Sequence, residues 1–194
     1  LAAKYDVDEE HARNVADLCR QLFRQLRKVH ELEDRYETLL YVAAALHETG
    51  AYINTSSMHK HSMYLIMHST LFGLTADDLQ LVALVARYHR RSMPKTTHQP
   101  YASMDRIRRV IVSKLAAILR IAIALDASRN QRIRNLECRR IRNRLVITVP
   151  SVEDLSIEQI AVRRNRLFFE MIFGLEVLLR TQVKTSLPTE STQL

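Results

Sequence analysis

Residues 36–47 (Tyr-Glu-Thr-Leu-Leu-Tyr-Val-Ala-Ala-Ala-Leu-His) constrain the fold more than any other segment of this chain. At helical periodicity the run is apolar almost all round, so a helix there must be buried on every side. Three glycines and four prolines in 194 residues favour long helices as its surroundings. The run ends in His47-Glu48, and Gly50 reads as a left-handed C-terminal stop. Glu48 then falls in the last turn, where the helix dipole disfavours an anion.

A second apolar helix, residues 107–125, repeats the conflict by ending in Asp126. Asp126 lies three turns beyond Leu115 and shares its inward face. Buried acids need a compensating cation or metal. With His11, which lies in the first turn of a helix capped by Asp8, the set His11, His47, Glu48 and Asp126 is the side-chain inventory of a divalent metal site on a helical bundle. Two imidazoles and two carboxylates suit an intermediate first-row metal, or Mg2+ or Mn2+ held mostly by oxygen. The alternative readings pair the acids with Arg120 or Arg129, or make the set the relic of a metal site kept for packing.

Composition excludes several classes. A chain of this length buries one good core, with room for a small appendage. No glycine-rich phosphate loop exists. Cys19 and Cys138 have no metal-knuckle or redox spacing, so free thiols in a reducing cytoplasm are the expectation. The apolar stretches 39–46 and 167–179 are too short or too charged to span a bilayer. The chain opens on Leu1, which reads as a piece cut from something larger.

Charge is unevenly placed. Residues 1–48 carry seven Lys/Arg against ten Asp/Glu, whereas residues 87–144 carry sixteen against three. A block this basic attracts polyanions by steering and counterion release, unless it is a solvated face or meets an acidic neighbour. Aromatic residues make up only 6% and tryptophan is absent, so platforms for stacking single-stranded bases are poorly supplied. A reader of phosphates fits better than a reader of bases, and nucleic acid is not the expected partner.

Further helices are predicted at residues 63–69, from a Thr75 cap to Tyr88-His89, and from an Asp105 cap onward. Residues 136–140 and 144–149 then read as a β-hairpin turning near Asn143. A final amphipathic helix starts at Asp154 or Ser156 and keeps its apolar positions to Leu175. This β-β-α unit is too small to stand alone and is expected to pack on the helices. The boundaries expected are a helical domain over 1–135, the small unit over 136–184 and a frayed tail over 185–194.

The order His11, His47-Glu48, Asp126 resembles the HD superfamily of metal-dependent phosphohydrolases. The words His11-Ala12, Leu22-Phe23, 44–50 (Ala-Ala-Leu-His-Glu-Thr-Gly), 59–62 (His-Lys-His-Ser) and 88–91 (Tyr-His-Arg-Arg) closely resemble the C-terminal, HD-like region of the exopolyphosphatase/guanosine-pentaphosphate phosphatase (Ppx/GppA) family, over about residues 1–184. The resemblance implies a mainly α fold, an HD-domain-like helical bundle followed by the small β-β-α subdomain. It also implies that hydrolysis belongs to N-terminal actin-like domains of the same enzyme, absent from this sequence, with Mg2+ as their metal. The C-terminal region would bind polyphosphate or (p)ppGpp and support a homodimer, in the cytoplasm and away from membranes.

No catalytic residue is therefore expected here. The phosphate contacts expected are Lys60, Arg90, Arg91, Lys95, Arg106, Arg108 and Arg109, the arginines favoured because they grip phosphate bidentately. The HD signature has aspartate where this chain has Glu48. The extra methylene moves a carboxylate by about 1.5 Å, against a tolerance of about 0.2 Å in metal–oxygen distance. His61, His68 and His89 are the remaining imidazoles, and His89 beside Arg90-Arg91 reads as phosphate-binding. The alternatives are a working HD phosphohydrolase acting on a nucleotide or (p)ppGpp-like substrate, and a nucleic-acid-binding helical module.

Overall fold

The computed structural model describes residues 1–90, 92–150 and 152–182. Among them are eight α-helices: α1 Glu9–Gln25, α2 Arg27–His30, α3 Arg35–Leu46, α4 Met58–Met67, α5 Ala76–Arg87, α6 Gln99–Ala102, α7 Arg106–Leu125 and α8 Ser156–Phe173. Three strands, β1 Glu137–Ile141, β2 Arg144–Val149 and β3 Glu176–Thr181, complete the fold, which is mainly α with a small β portion. The tail expected over 185–194 lies outside the described residues.

Capping chemistry sets the starts of α1, α5 and α7. Asp8 accepts from the His11 amide at 3.1 Å, and Asp105 accepts from the Arg108 amide at 2.8 Å. Thr75 and Asp78 cap one another reciprocally at the start of α5. Each cap satisfies amides that the first turn leaves without a partner.

α7 is the axis of the molecule: thirteen of its twenty residues are buried. α1, α5 and α8 pack on it, and α3 lies between α1 and α5. That enclosure explains why residues 39–46 are apolar on nearly all sides. One cluster of buried apolar side chains runs from Val15 in α1 to Leu179 in β3.

The β portion differs from expectation in one element. β1 and β2 form the antiparallel hairpin, Ile141 opposite Arg144, but β3 then pairs parallel to β2, Leu145 opposite Val177. The unit is therefore β-β-α-β, with α8 as the crossover that parallel strands require. Gly174 explains the difference. Its φ of 67° ends α8 four residues after Glu170, whose carbonyl accepts the Gly174 amide at 2.8 Å. Leu175, read by periodicity as the last apolar position of the helix, instead lies beyond its end, and residues 176–181 are released into a strand.

Gly50 also departs from expectation, because it does not adopt a left-handed conformation. It sits in a short 3-10 turn, Thr49–Tyr52, against α4. A Cβ there would lie 2.2 Å from the Met58 carbonyl oxygen and 2.3 Å from the Ser62 nitrogen. Close approach of two backbones requires this glycine. Ser62 fastens the contact, its Oγ accepting from the Gly50 amide (2.9 Å) and donating to the His47 carbonyl (2.8 Å).

Candidate functional site

Four helix ends meet on one side of the bundle. The first turn of α1 presents His11, the C-terminus of α3 presents His47-Glu48, that of α5 presents His89, and that of α7 presents Asp126. His11, His47, His89 and Asp126 are all buried. The structure thus brings together the four residues that the sequence placed in a metal set, and adds a fifth.

Each histidine is oriented through Nδ1. His11 Nδ1 lies 2.7 Å from Asp126 Oδ2, His47 Nδ1 2.6 Å from the Ala44 carbonyl, and His89 Nδ1 2.6 Å from the Ala86 carbonyl. The ring of His47 stands between the other two, its centroid 5.8 Å from that of His11 and 5.0 Å from that of His89. Buried Nε2 atoms of His47 and His89 have no hydrogen-bond partner among the described residues. Leaving such groups unpaired costs about 1–3 kcal/mol each. Burial pushes the pKa of His47 down to about 4 against the opposing pull of Glu48 and the Ala44 carbonyl, and burial and then His47 push that of His89 well below its ordinary value, so both rings are neutral near pH 7.

The carboxylates are already occupied. Asp126 takes His11 on Oδ2 and the Gln131 amide, at 3.0 Å, on Oδ1. Glu48 is bound by Arg129, whose other terminal nitrogen reaches Asp8 at 3.1 Å. Burial opposes ionisation of Glu48, but His47 and Arg129 outweigh it and hold its pKa below the usual range. Of the two arginines considered as partners for the acids, Arg129 serves and Arg120 does not. Arg120, buried on α7, donates instead to the Tyr88 carbonyl (2.7 Å) and to that of Ser92, with its guanidinium 4.5 Å above the Phe168 ring. Burial lowers its pKa to about 10, which leaves it charged.

Donor atoms of His11, His47 and Glu48 lie within 4.8 Å of one another, close enough to share an ion. The unpartnered Nε2 atoms beside them make the donor set one that fits a divalent metal. His89, read from the sequence as a phosphate contact because of Arg90-Arg91, is turned inward to this cluster. The signal for it was present: Ala44-Ala45-Leu46-His47 and Ala86-Arg87-Tyr88-His89 both end an apolar helix in Ala-x-x-His, the spacing that lets Nδ1 reach the carbonyl three residues back.

A separate basic cluster lies on α4, the end of α5 and the loop that follows. Arg87, Lys60 and Arg90 act on His59, and Arg87, Lys95 and Lys60 act on His98; burial first and these cations next lower both histidines. Ser56, His59, Arg90 and Ser92 line a pocket of about 340 Å³ there. Among the described residues no carboxylate forms an ion pair with Lys60, Arg87, Arg90 or Lys95. Of the other expected phosphate contacts, Arg106 and Arg109 line a pocket with Pro94 and Thr96, beside Lys95. Arg108 is tied to Asp77 at 3.3 Å, and Arg91 lies outside the described residues. His61, on α4, acts on His59 together with the cations, whereas His68 lies just after α4 with its Nδ1 2.9 Å from the Tyr64 carbonyl. Arg87, which the sequence reading passed over, belongs with the group. No helix of the described residues is long and apolar enough to cross a membrane, and both cysteines are free.

Guanosine-5'-triphosphate,3'-diphosphate pyrophosphatases are similar to the chain. That of Aeromonas hydrophila is 31% identical over 132 residues, covering 68% of this chain and 26% of its own length. That of Pseudoalteromonas atlantica is 29% identical over 133 residues (66% and 25%), and that of Aeromonas salmonicida 28% over 152 (77% and 30%). The chain thus spans between a quarter and a third of the length of the curated relatives it matches. Residues 1–168 match the family description Ppx/GppA phosphatase, domain III, and the chain accordingly belongs to the Ppx/GppA phosphatase family.

Proposed function

We propose that this domain is the accessory, anion-binding part of a phosphoanhydride hydrolase. It holds inorganic polyphosphate, or the phosphate-rich ends of a guanosine pentaphosphate, while hydrolysis is carried by actin-like domains that precede it in the whole enzyme. The observation that carries this reading is the convergence of Lys60, Arg87, Arg90 and Lys95 around His59 and His98, none of them ion-paired to a carboxylate among the described residues. Cations that are grouped and unpaired repel one another until a polyanion arrives, and releasing its counterions then adds to affinity. The names of the relatives, which denote hydrolysis of a polyphosphorylated nucleotide, support the same ligand chemistry.

Competition decides it: labelled polyphosphate is displaced from the chain by unlabelled polyphosphate and by guanosine pentaphosphate, but not by duplex or single-stranded nucleic acid at matched salt. Preference for nucleic acid would refute the assignment. A self-association role is supported by an exposed apolar stripe on α8, Ile157, Ile160, Leu167 and Met171, at helical spacing. Light scattering on Leu167→Glu tests it, and a homodimer unaffected by the substitution would exclude this face.

The unpartnered Nε2 atoms favour a second reading of the histidine cluster, as a metal site of the hydrolytic HD kind. Phosphatase turnover on added metal, lost in His47→Ala, would establish it.

A further inference from the structure

We propose that Arg120, buried on α7, is the positioning residue of the anion pocket: its guanidinium clamps the carbonyls on either side of Arg90 and so sets where Arg90 meets a phosphate. The inference rests on the pocket of Ser56, His59, Arg90 and Ser92 being an anion site. It gives a part in binding to a core residue that touches no ligand.

Burying a guanidinium is costly unless its charge is met. Arg120 is 4% exposed, and among the described residues no carboxylate forms an ion pair with it. Its partners are carbonyl oxygens instead: Nε donates to Tyr88 at 2.7 Å and Nη2 to Ser92. Tyr88 is the C-terminal cap of α5, where the helix dipole favours a cation. The Phe168 ring of α8, 4.5 Å from the guanidinium carbon, supports the planar fork from below. Arg120 is thereby held between α5, the loop after it and α8.

The two carbonyls bracket the stretch that carries the chain past the pocket. Between them His89 is buried, its Nδ1 on the Ala86 carbonyl, while Arg90 is exposed and its Nη1 donates to the Thr55 carbonyl at 3.2 Å. Arg90 and Ser92 both line the pocket. Arg120 draws the Tyr88 and Ser92 oxygens, whose partial negative charge repels a phosphate, to the buried side. It also holds the Arg90 backbone from both ends, so that less freedom is lost when Arg90 grips an anion. A lysine at the same place keeps the charge but lacks the planar fork, and cannot span both carbonyls over the ring. Geometry rather than charge is therefore what Arg120 supplies, and this separates it from the surface cations.

Calorimetric titration of inorganic polyphosphate into the wild-type 194-residue chain, Arg120→Lys, Arg90→Ala and the double variant tests this, at a temperature where circular dichroism shows each one folded. The expected result is an affinity about three- to tenfold lower in Arg120→Lys, the cost of ordering one freed side chain. In the Arg90→Ala background the same substitution should cause no further loss, because the clamp acts through Arg90. Wild-type affinity in Arg120→Lys, or equal losses from it in both backgrounds, would overturn the positioning role while leaving the anion site. A wild-type chain that binds no polyphosphate would remove both. One measurement needs no variant to fold: in the 15N-arginine-labelled wild type the Nε–H of Arg120 should exchange slowly with solvent, and stay protected while that of Arg90 shifts on adding polyphosphate. Fast exchange at Arg120 would show that the clamp is not made and overturn the proposal.

Discussion

Replacing Gly50 by alanine isolates the contact that seats α4 against the candidate site. Its new Cβ would stand 2.2 Å from the Met58 oxygen and 2.3 Å from the Ser62 nitrogen, both backbone atoms of α4 or its first turn. An ordinary carbon–oxygen contact needs about 3.3 Å, so α4 must retreat by about 1 Å. That movement breaks the Gly50–Ser62 and Ser62–His47 hydrogen bonds, each contributing about 1 kcal/mol. The overpacking itself costs about 1–3 kcal/mol. Together the loss is about 3–5 kcal/mol, or roughly 6–20 °C in Tm for a chain of this size. Urea denaturation followed by circular dichroism measures it. In the Gly50→Ala background Ser62→Ala should cost about 2 kcal/mol less than in the wild type, since both of its bonds are already broken. A Gly50→Ala change below about 0.5 kcal/mol, or strict additivity with Ser62→Ala, would show that the backbones are not held in this contact.

Thr75→Ala removes half of a reciprocal cap and should destabilise by about 1 kcal/mol, read from the denaturation midpoint. Arg129→Ala should cost less than that, because its side chain is 45% exposed and the pair is screened by salt. The same variant should tighten Zn2+ binding several-fold, by freeing Glu48 and removing a nearby positive charge; weaker binding in a calorimetric titration would contradict this. His59 and His98 have pKa values lowered by burial and by the adjoining cations. A bound polyanion reverses the electrostatic part, raises both pKa values and draws protons in. Polyphosphate affinity should therefore increase as pH falls from 7 through the pKa values of the bound state, and His59→Gln with His98→Gln should flatten that dependence.

Much of the fold was legible because local chemistry and burial agree. Asp8, Thr75 and Asp105 have few roles before an apolar period other than capping, and the all-round apolar run at 36–47 needed enclosure. β3 was not legible by periodicity, since Leu167 to Leu179 is nearly continuous in hydrophobicity. Gly174 was the punctuation that mattered, through its backbone conformation. Gly50 went the other way: its position after a helix suggested a left-handed stop, but a non-local contact with Met58 and Ser62 sets its role.

At the candidate site, helix ends gave away His47, Glu48 and Asp126, while His89 was hidden by its neighbours. The adjacent Arg90-Arg91 pair suggested a solvent-facing phosphate contact, yet His89, one residue before the exposed Arg90, is buried in the bundle. Arg87 was masked similarly by the apolar helix it terminates. Charge counts located the basic block but not which of its members are already paired, as Arg108 is with Asp77.

The most direct test of the anion-binding function is the salt dependence of polyphosphate binding in the wild-type chain and in the variant Lys60→Ala, Arg87→Ala, Arg90→Ala, Lys95→Ala. Each neutralised contact contributes about 0.7–0.9 to the slope of log affinity against log salt, by analogy with nucleic-acid polyanions. The variant should therefore lose about 3 from that slope while melting at the wild-type temperature. An unchanged slope would place polyphosphate elsewhere on the molecule and contradict the assignment.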